Sequence, residues 1–256
     1  MQAKITVLYD EGSLPDTTLI GAKGSSFIIE ADGERTMFGT GLRTRYLQTN
    51  MSAMDVSADD LDRVVISHMD KDEWGAVGAV LKDRTKPIAV YAPSDAWGEK
   101  KSFGCTGIYF PEEYKDRGIR QDIEGWIKFS EHVYVSPPIP YTSGRKVGRE
   151  CVMVVRGSLG PIIISHCCHP GMEAVFDAVE KKFECTPIGY IGGLHVGRKN
   201  DPLVDSACKV LMDNKVPYVY LNHCAGPTGI GRARFNLGLE GVHDFYAGES
   251  AQFDLL

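Results

Sequence analysis

Short apolar runs recur along the chain, cut by polar, glycine-containing turns. Met1 to Tyr9 reads as a first strand. Ser25 to Ala31 is apolar and β-branched, Asp32-Gly33 is a type I′ turn signal, and Glu34 to Phe38 returns as the partner strand. A helical stretch follows. Ser57 to Asp60 resembles a capping box opening a short turn of helix. Val64 to Ser67 predicts a buried strand, Trp74 to Leu81 a small-residue helix, and Ile88 to Ala92 another strand. Farther on, Cys151 to Val155 and Pro161 to Ser165 predict strands around a glycine-containing turn. Gly171 to Phe183 predicts a helix, Pro187 to Leu194 a strand, Pro202 to Asn214 a helix, and Pro217 to Leu221 a last core strand.

Strands thus alternate with helices after an early run of strands, the pattern of a layered α/β protein. Residues 94–146 depart from it. They are rich in aromatics (Trp97, Phe103, Tyr109, Phe110, Tyr114, Trp126), carry Pro137-Pro138, and have poor periodicity outside a strand expected from Ile127 to Val135. This stretch is read as an insertion in one domain spanning 1–256, either partly covering a site or decorating the surface.

The 256 residues hold 28 Lys+Arg against 34 Asp+Glu, a net charge of −6. That mild acidic excess gives no electrostatic reason to bind nucleic acid. No apolar run is long enough to span a bilayer, and the N-terminus has no signal-peptide pattern. A cytoplasmic location and a small-molecule substrate are expected. The seven cysteines, Cys105, Cys151, Cys167, Cys168, Cys185, Cys208 and Cys224, are odd in number and contain no CxxC pair, so no disulfide framework is expected.

The histidines are the most informative feature. His68, His166, His169, His195 and His223 each fall just past the carboxyl end of an apolar run. In layered α/β folds those ends gather on one edge, where ligands bind. His132 and His243 lack this context and read as packing or surface residues. The loop from His68 to Glu73 adds Asp70, Asp72 and Glu73 to one imidazole. Alone it reads as a solvated acidic turn; with four more strand-end histidines it points to a metal site. Gly192-Gly193, ahead of His195, would let backbone approach a ligand, or simply bend a strand. Gly171, after Pro170, can start a helix whose N-terminus faces the site.

Several segments resemble the metallo-β-lactamase fold, and more narrowly the dihydropterin ribofuranosyl-aminobenzene phosphate synthase-like branch. They are Ile5 to Asp10, Ser26 to Glu30, Met37 to Gly41, Asp62 to His68, Cys167 to Gly171, Ile191 to His195 and Asn222 to Gly226. The resemblance implies a four-layered αββα sandwich with a dinuclear metal site at one edge. Carried over by position, His68, Asp70 and His169 form a first metal site, and Asp72, Glu73 and His223 a second. His195 matches a histidine near the substrate. The family loop is His-x-His-x-Asp-His, whereas here it reads His68-x-Asp70-x-Asp72-Glu73, and Gly39 stands where the family has Asp. Asp70 and Glu73 preserve the reach of the imidazole nitrogens they replace, which favours a retuned site over a dead one. Three loop carboxylates leave two divalent ions less positive than the family's single carboxylate does. That weakens the Lewis acid and shifts preference from zinc toward iron or manganese.

The expected function is that of a metal-dependent hydrolase-like enzyme, its metal-bound hydroxide attacking an ester or phosphoester. One or two divalent ions of zinc, iron or manganese would serve as cofactor. Asp72 and His195 are the candidate catalytic residues, with Asp72 orienting the hydroxide and His195 acting as general acid or substrate hydrogen-bond donor. Arg232 and Arg234 are candidates for an anionic substrate group, or a solvated surface pair. Two alternatives stay open: a di-iron or di-manganese oxidoreductase or redox or oxygen sensor, with Cys167 and Cys168 beside His169, and a non-catalytic binding protein for a small molecule.

Overall fold

The computed structural model describes residues 1–143, 146–196 and 201–256. The chain divides into two compact units. The N-terminal unit holds residues 3–125 and 246–252, and the C-terminal unit holds 1–2, 126–245 and 253–256.

In the N-terminal unit, β1 (Gln2–Tyr9), β2 (Ser26–Ala31) and β3 (Glu34–Phe38) form an antiparallel meander. The Asp32-Gly33 turn joins β2 to β3 as expected, with both residues at positive φ. Then β4 (Arg63–Val65), β5 (Ile88–Pro93) and, after a small hairpin of β6 (Lys100–Lys101) and β7 (Gly104–Cys105), β8 (Gly118–Ile123) extend the sheet in parallel. β8 places part of the aromatic-rich stretch 94–146 at one edge of this sheet. The helices are α1 (Thr44–Ala53), α2 (Lys71–Trp74) and α3 (Val77–Asp83). Leu8, Met37, Leu47, Val64, Ile66, Trp74 and Val80 are among the buried side chains of this unit's own core. Asn50 of α1 is buried with them. It accepts from the Ile20 amide at 2.8 Å and donates to the Leu8 carbonyl at 2.9 Å, tying the β1–β2 loop to the helix.

One helix was expected from Trp74 to Leu81, but two are found. Gly75 lies so close to backbone that an added Cβ would meet the Leu42 and Lys71 carbonyl oxygens at 2.7 Å, and the Ala76 amide donates to the Gly41 carbonyl at 3.0 Å. The break draws the segment against the loop after β3.

The C-terminal unit repeats the plan. Antiparallel β9 (Ile127–Lys128), β10 (Val133–Val135), β13 (Met153–Gly157) and β14 (Gly160–Ser165) continue in parallel through β15 (Gly189–Gly192), β16 (Tyr218–Leu221) and β17 (His243–Asp244). β11 (Ile139–Ser143) and β12 (Lys146–Glu150) make a separate antiparallel pair. The strand expected from Ile127 to Val135 is instead a hairpin of β9 and β10. Ser130, Glu131 and His132 form its turn, and the Phe129 amide donates to the Val133 carbonyl at 2.9 Å. The last strand, β18 (Ser250–Asp254), returns to sit beside β1 at the other edge of the N-terminal sheet.

Helices α4 (Met172–Phe183), α5 (Asp201–Asp213) and α6 (Gly226–Leu237) follow β14, β15 and β16. In α4 the buried side chains Met172, Val175, Phe176 and Val179 recur at i, i+3, i+4 and i+7, one apolar stripe, while Lys181 and Lys182 sit favourably in the last turn. They join Val154, Ile163, Tyr190, Val219 and Leu221 in this unit's own core. Burying whole Leu, Phe or Ile side chains stabilises by about 1.5–3 kcal/mol each. Among the described residues no helix is long and apolar enough to cross a membrane.

Candidate metal centre

In both units the parallel strands end where the chemistry-bearing side chains begin. His68 follows β4, His166 and His169 follow β14, His195 follows β15, and His223 follows β16.

In the N-terminal unit His68 is fully buried. Its Nδ1 lies 2.8 Å from Ser67 Oγ, and its Nε2 lies 3.6 Å from Asp70 Oδ2. Holding Nδ1 selects the ring orientation and aims Nε2 at the acidic loop. Asp70 occupies the N-cap position of α2, and its carbonyl accepts from the Glu73 amide at 3.0 Å. Glu73 is fully buried, and its carbonyl accepts from the Thr40 amide at 2.7 Å. Asp72 is partly exposed and pairs with Lys23 at 3.2 Å. The Asp72 charge raises the Lys23 pKa.

The C-terminal unit is built around Glu150, at the end of β12 and fully buried. Its Oε1 accepts from the amides of Cys167 and Cys168 at 3.1 and 3.0 Å and from Ser165 Oγ at 3.1 Å. Its Oε2 accepts from the His169 amide at 2.9 Å and lies 2.8 Å from His169 Nδ1. One carboxylate thus shapes the whole loop after β14 and fixes the imidazole that ends it. The Tyr141 ring stacks on His169 with centroids 4.4 Å apart, and the His195 ring lies tilted to His169 with centroids 4.1 Å apart.

Two cysteines enter this constellation. Cys167 Sγ lies 3.4 Å from His223 Nε2, and Cys224 Sγ accepts from the His195 amide at 3.1 Å. Burial alone would push the Cys224 thiol up. The hydrogen bond with Cys167, the nearby His223 charge and the bonds with His195 together hold it well below the ordinary thiol value. Cys168 behaves oppositely: burial and the Glu150 charge push its pKa up, marking it as an inert packing residue. Backbone strain gathers here, with Cys168, His195 and His223 all at positive φ.

Gly192 and Gly193 are required by this packing. At Gly192, φ is 136° and a Cβ would overlap the Ser165 carbonyl; at Gly193 it would overlap Cys224 Sγ and the His166 carbonyl oxygen. The pair therefore admits other groups of the same unit, the close approach expected of it. Gly171 caps α4 at a φ of 88°.

The donor chemistry suits a divalent metal. Each unit supplies imidazole held through its other nitrogen, and the set adds carboxylate in one unit and thiol in the other. Glu150 and the roles of Cys224 and Tyr141 escape a sequence reading. Glu150 acts across nineteen residues with no local motif, and Cys224 looks like any small buried residue until its neighbours are known.

Arg232 and Arg234 lie on α6. Arg232 makes a two-pronged pair with Asp205 at 2.8 and 2.9 Å, and Arg234 bonds Asp244 at 2.9 Å and the Val242 carbonyl. These partners engage both guanidinium groups, as in the surface-pair alternative. His132 is buried, and His243 stacks on Tyr220 at 5.0 Å. A cleft of about 710 Å³ in the N-terminal unit is lined by Leu42, Arg43, Thr44, Arg45, Tyr46, Lys71, Trp74, Gly75 and Tyr109.

The model of the metallo-beta-lactamase superfamily matches residues 20–166. The chain belongs to that superfamily. Two mixed sheets that carry helices are the metallo-beta-lactamase fold in this chain. It is 22% identical over 243 residues to the 7,8-dihydropterin-6-methyl-4-(beta-D-ribofuranosyl)-aminobenzene-5'-phosphate synthase of Methanocaldococcus jannaschii, covering 79% of this chain and 81% of that one. The fold is similar to that of Tm1679, a metal-dependent hydrolase of the beta-lactamase superfamily, with a TM-score of 0.76, 20% identity, and 97% and 98% of the two chains covered. It is also similar to zinc-bound PqqB from Methylobacterium extorquens, with a TM-score of 0.62, 10% identity, and 97% and 99% covered. The metallo-beta-lactamase relatives thus include both a hydrolase and a synthase by name.

Proposed function

We propose that this chain hydrolyses a small ester or phosphoester that carries an anionic group. The observation that carries the reading is the His169–Glu150 pair. A fully buried carboxylate 2.8 Å from Nδ1 fixes the imidazole's tautomer and turns Nε2 toward a ligand, the arrangement by which metal-binding histidines are held. His68, Asp70, Asp72 and Glu73 of the N-terminal unit and His169 and His223 of the C-terminal unit are proposed as metal ligands. A bound ion would acidify water and polarise the oxygen of the scissile bond. Glu150 holds His169 and Ser67 holds His68, while Asp72, paired with Lys23 at 3.2 Å, would orient the attacking water.

The substrate's anionic group is assigned to the cleft beside the loop. Arg43, Arg45 and Lys71 line it with no carboxylate among the lining residues, and Trp74 and Tyr109 add apolar wall. Its volume suits a small metabolite. A phosphate there would agree with the name of the Methanocaldococcus jannaschii relative, which contains a 5'-phosphate. Arg232 and Arg234, engaged by Asp205 and Asp244, have no place in this reading.

The test is metal analysis of protein purified without added metal, followed by hydrolysis assays on a generic phosphodiester, phosphomonoester and aryl ester. Turnover that falls at least about 100-fold in His169→Ala supports the proposal, since loss of an ion or its orientation costs that much or more. Metal-loaded protein with no turnover on any of the three would overturn it, and bound iron with a visible absorption band would then favour the oxidoreductase alternative.

A further inference from the structure

Cys167, His195 and Cys224 come from the loops after three adjacent parallel strands, β14, β15 and β16. One ligand atom from each, two sulfurs and an imidazole nitrogen, lies within 4.8 Å of the others. None of the three belongs to the ligand sets proposed above. Three structural features bring them together. Gly193 leaves the room that Cys224 Sγ fills. His195 adopts a φ of 47°, which a β-carbon makes costly, and so turns its amide onto Cys224 Sγ at 3.1 Å. Glu150 binds the Cys167 amide at 3.1 Å and anchors that residue's loop.

We infer that Cys167, Cys224 and His195 form a sulfur-rich site for a soft divalent ion such as zinc, held wholly within the C-terminal unit. Around a tetrahedral zinc, with bonds of about 2.3 Å to sulfur and 2.0–2.1 Å to nitrogen, sulfurs stand roughly 3.8 Å apart and sulfur and nitrogen roughly 3.6 Å. The ligand atoms lie within 4.8 Å of one another, so closing on an ion to those values takes at most about 1 Å per pair. Two thiolates neutralise the ion's two charges, releasing their protons to solvent as it binds. Cys167 is buried while Cys224 and His195 are half-buried, so the ion has an approach from one side and a protected seat. Thiolate donors select zinc over the harder manganese and magnesium. The carboxylate-rich loop from His68 to Glu73 has the reverse preference, so one chain carries a soft and a hard donor set. This assigns His195 to an ion in place of the substrate role expected from sequence. The site adjoins a ligand of the hydrolytic reading, since Cys167 Sγ lies 3.4 Å from His223 Nε2, but the inference concerns binding and is read separately from turnover.

Cobalt(II) titration of the intact chain tests it, since thiolate coordination gives an intense sulfur-to-cobalt charge-transfer band in the near ultraviolet that nitrogen and oxygen ligands do not. The band is expected to saturate, to be bleached by zinc, and to persist in the double variant Asp70→Ala with Glu73→Ala. It is expected to be lost in Cys224→Ser and in Cys167→Ser, with circular dichroism confirming that each variant is folded. Absence of the band, or its survival in both serine variants, would overturn the site. Should either serine variant fail to fold, cadmium NMR on the unmodified chain decides: a resonance in the two-thiolate range supports the site, and one in the range of nitrogen and oxygen ligands alone excludes it. Loss of hydrolysis with the band intact would count against the hydrolytic proposal only.

Discussion

Glu150 shows how much one side chain can carry. Its two oxygens accept three consecutive amides, a serine hydroxyl and an imidazole N–H, all away from water. Each buried donor left without an acceptor costs about 1–3 kcal/mol, so Glu150→Ala should destabilise by at least about 3 kcal/mol. Glu150→Gln keeps the shape and one good acceptor and should cost less, while turning an amide N–H toward His169 and loosening that ring. Urea unfolding of both variants checks the order; equal and small losses would show that water replaces the carboxylate. Nothing near position 150 in the sequence announces this role, because the partners lie fifteen to nineteen residues on and meet it only when β12 and the β14 loop are folded. The histidines were legible for the opposite reason. Each directly trails an apolar run, so local order alone places it at a strand end. The cysteines fell between: Cys167 and Cys224 were visible, but only the fold distinguishes them from Cys168, whose thiol burial keeps protonated.

At the level of elements, most strands and helices were legible from periodicity, and the exceptions have local causes. The helix expected from Trp74 breaks because Gly75 must approach the Leu42 carbonyl, a contact no helical pattern reveals. The strand expected from Ile127 folds back at Ser130, where three polar residues permit a turn that apolar content on both sides conceals. The helices α5 and α6 are joined by Asp205, which accepts from Arg232 and from Asn236 Nδ2 at 2.7 Å. These bonds, led by that from Arg232, hold its carboxyl down to about 2. Because the folded value lies below the unfolded one of about 3.9, the pair's contribution is present above the unfolded value and is lost as pH falls through about 2. The site is exposed, so solvent screens the effect and its contribution to stability is small. An NMR titration of the Asp205 carboxyl should find the low midpoint, and Arg232→Ala should move it back toward the ordinary range. A midpoint unmoved by that change would assign the shift to Asn236 instead.

Taken as a whole molecule, the chain uses one plan twice: antiparallel strands first, parallel strands next, and reactive side chains at the parallel ends. The alternation of elements showed the α/β class, yet it did not show that two sheets each divide this way, since strand direction is settled by pairing and leaves no mark on composition. Cys105 lies in the N-terminal unit and the other six cysteines in the C-terminal unit, all seven as thiols outside any disulfide. Thiol counting under denaturing, non-reducing conditions should therefore return seven; a lower number in fresh protein would reveal a bond that the fold does not contain. The stack of Tyr141 on His169 has a consequence of another kind. A phenol ring lying flat on an imidazole senses the charge that imidazole bears, so near-ultraviolet absorption by Tyr141 is expected to shift when His169 takes up an ion. Tyr141 absorption would then gauge occupancy of the candidate centre even when no reaction takes place.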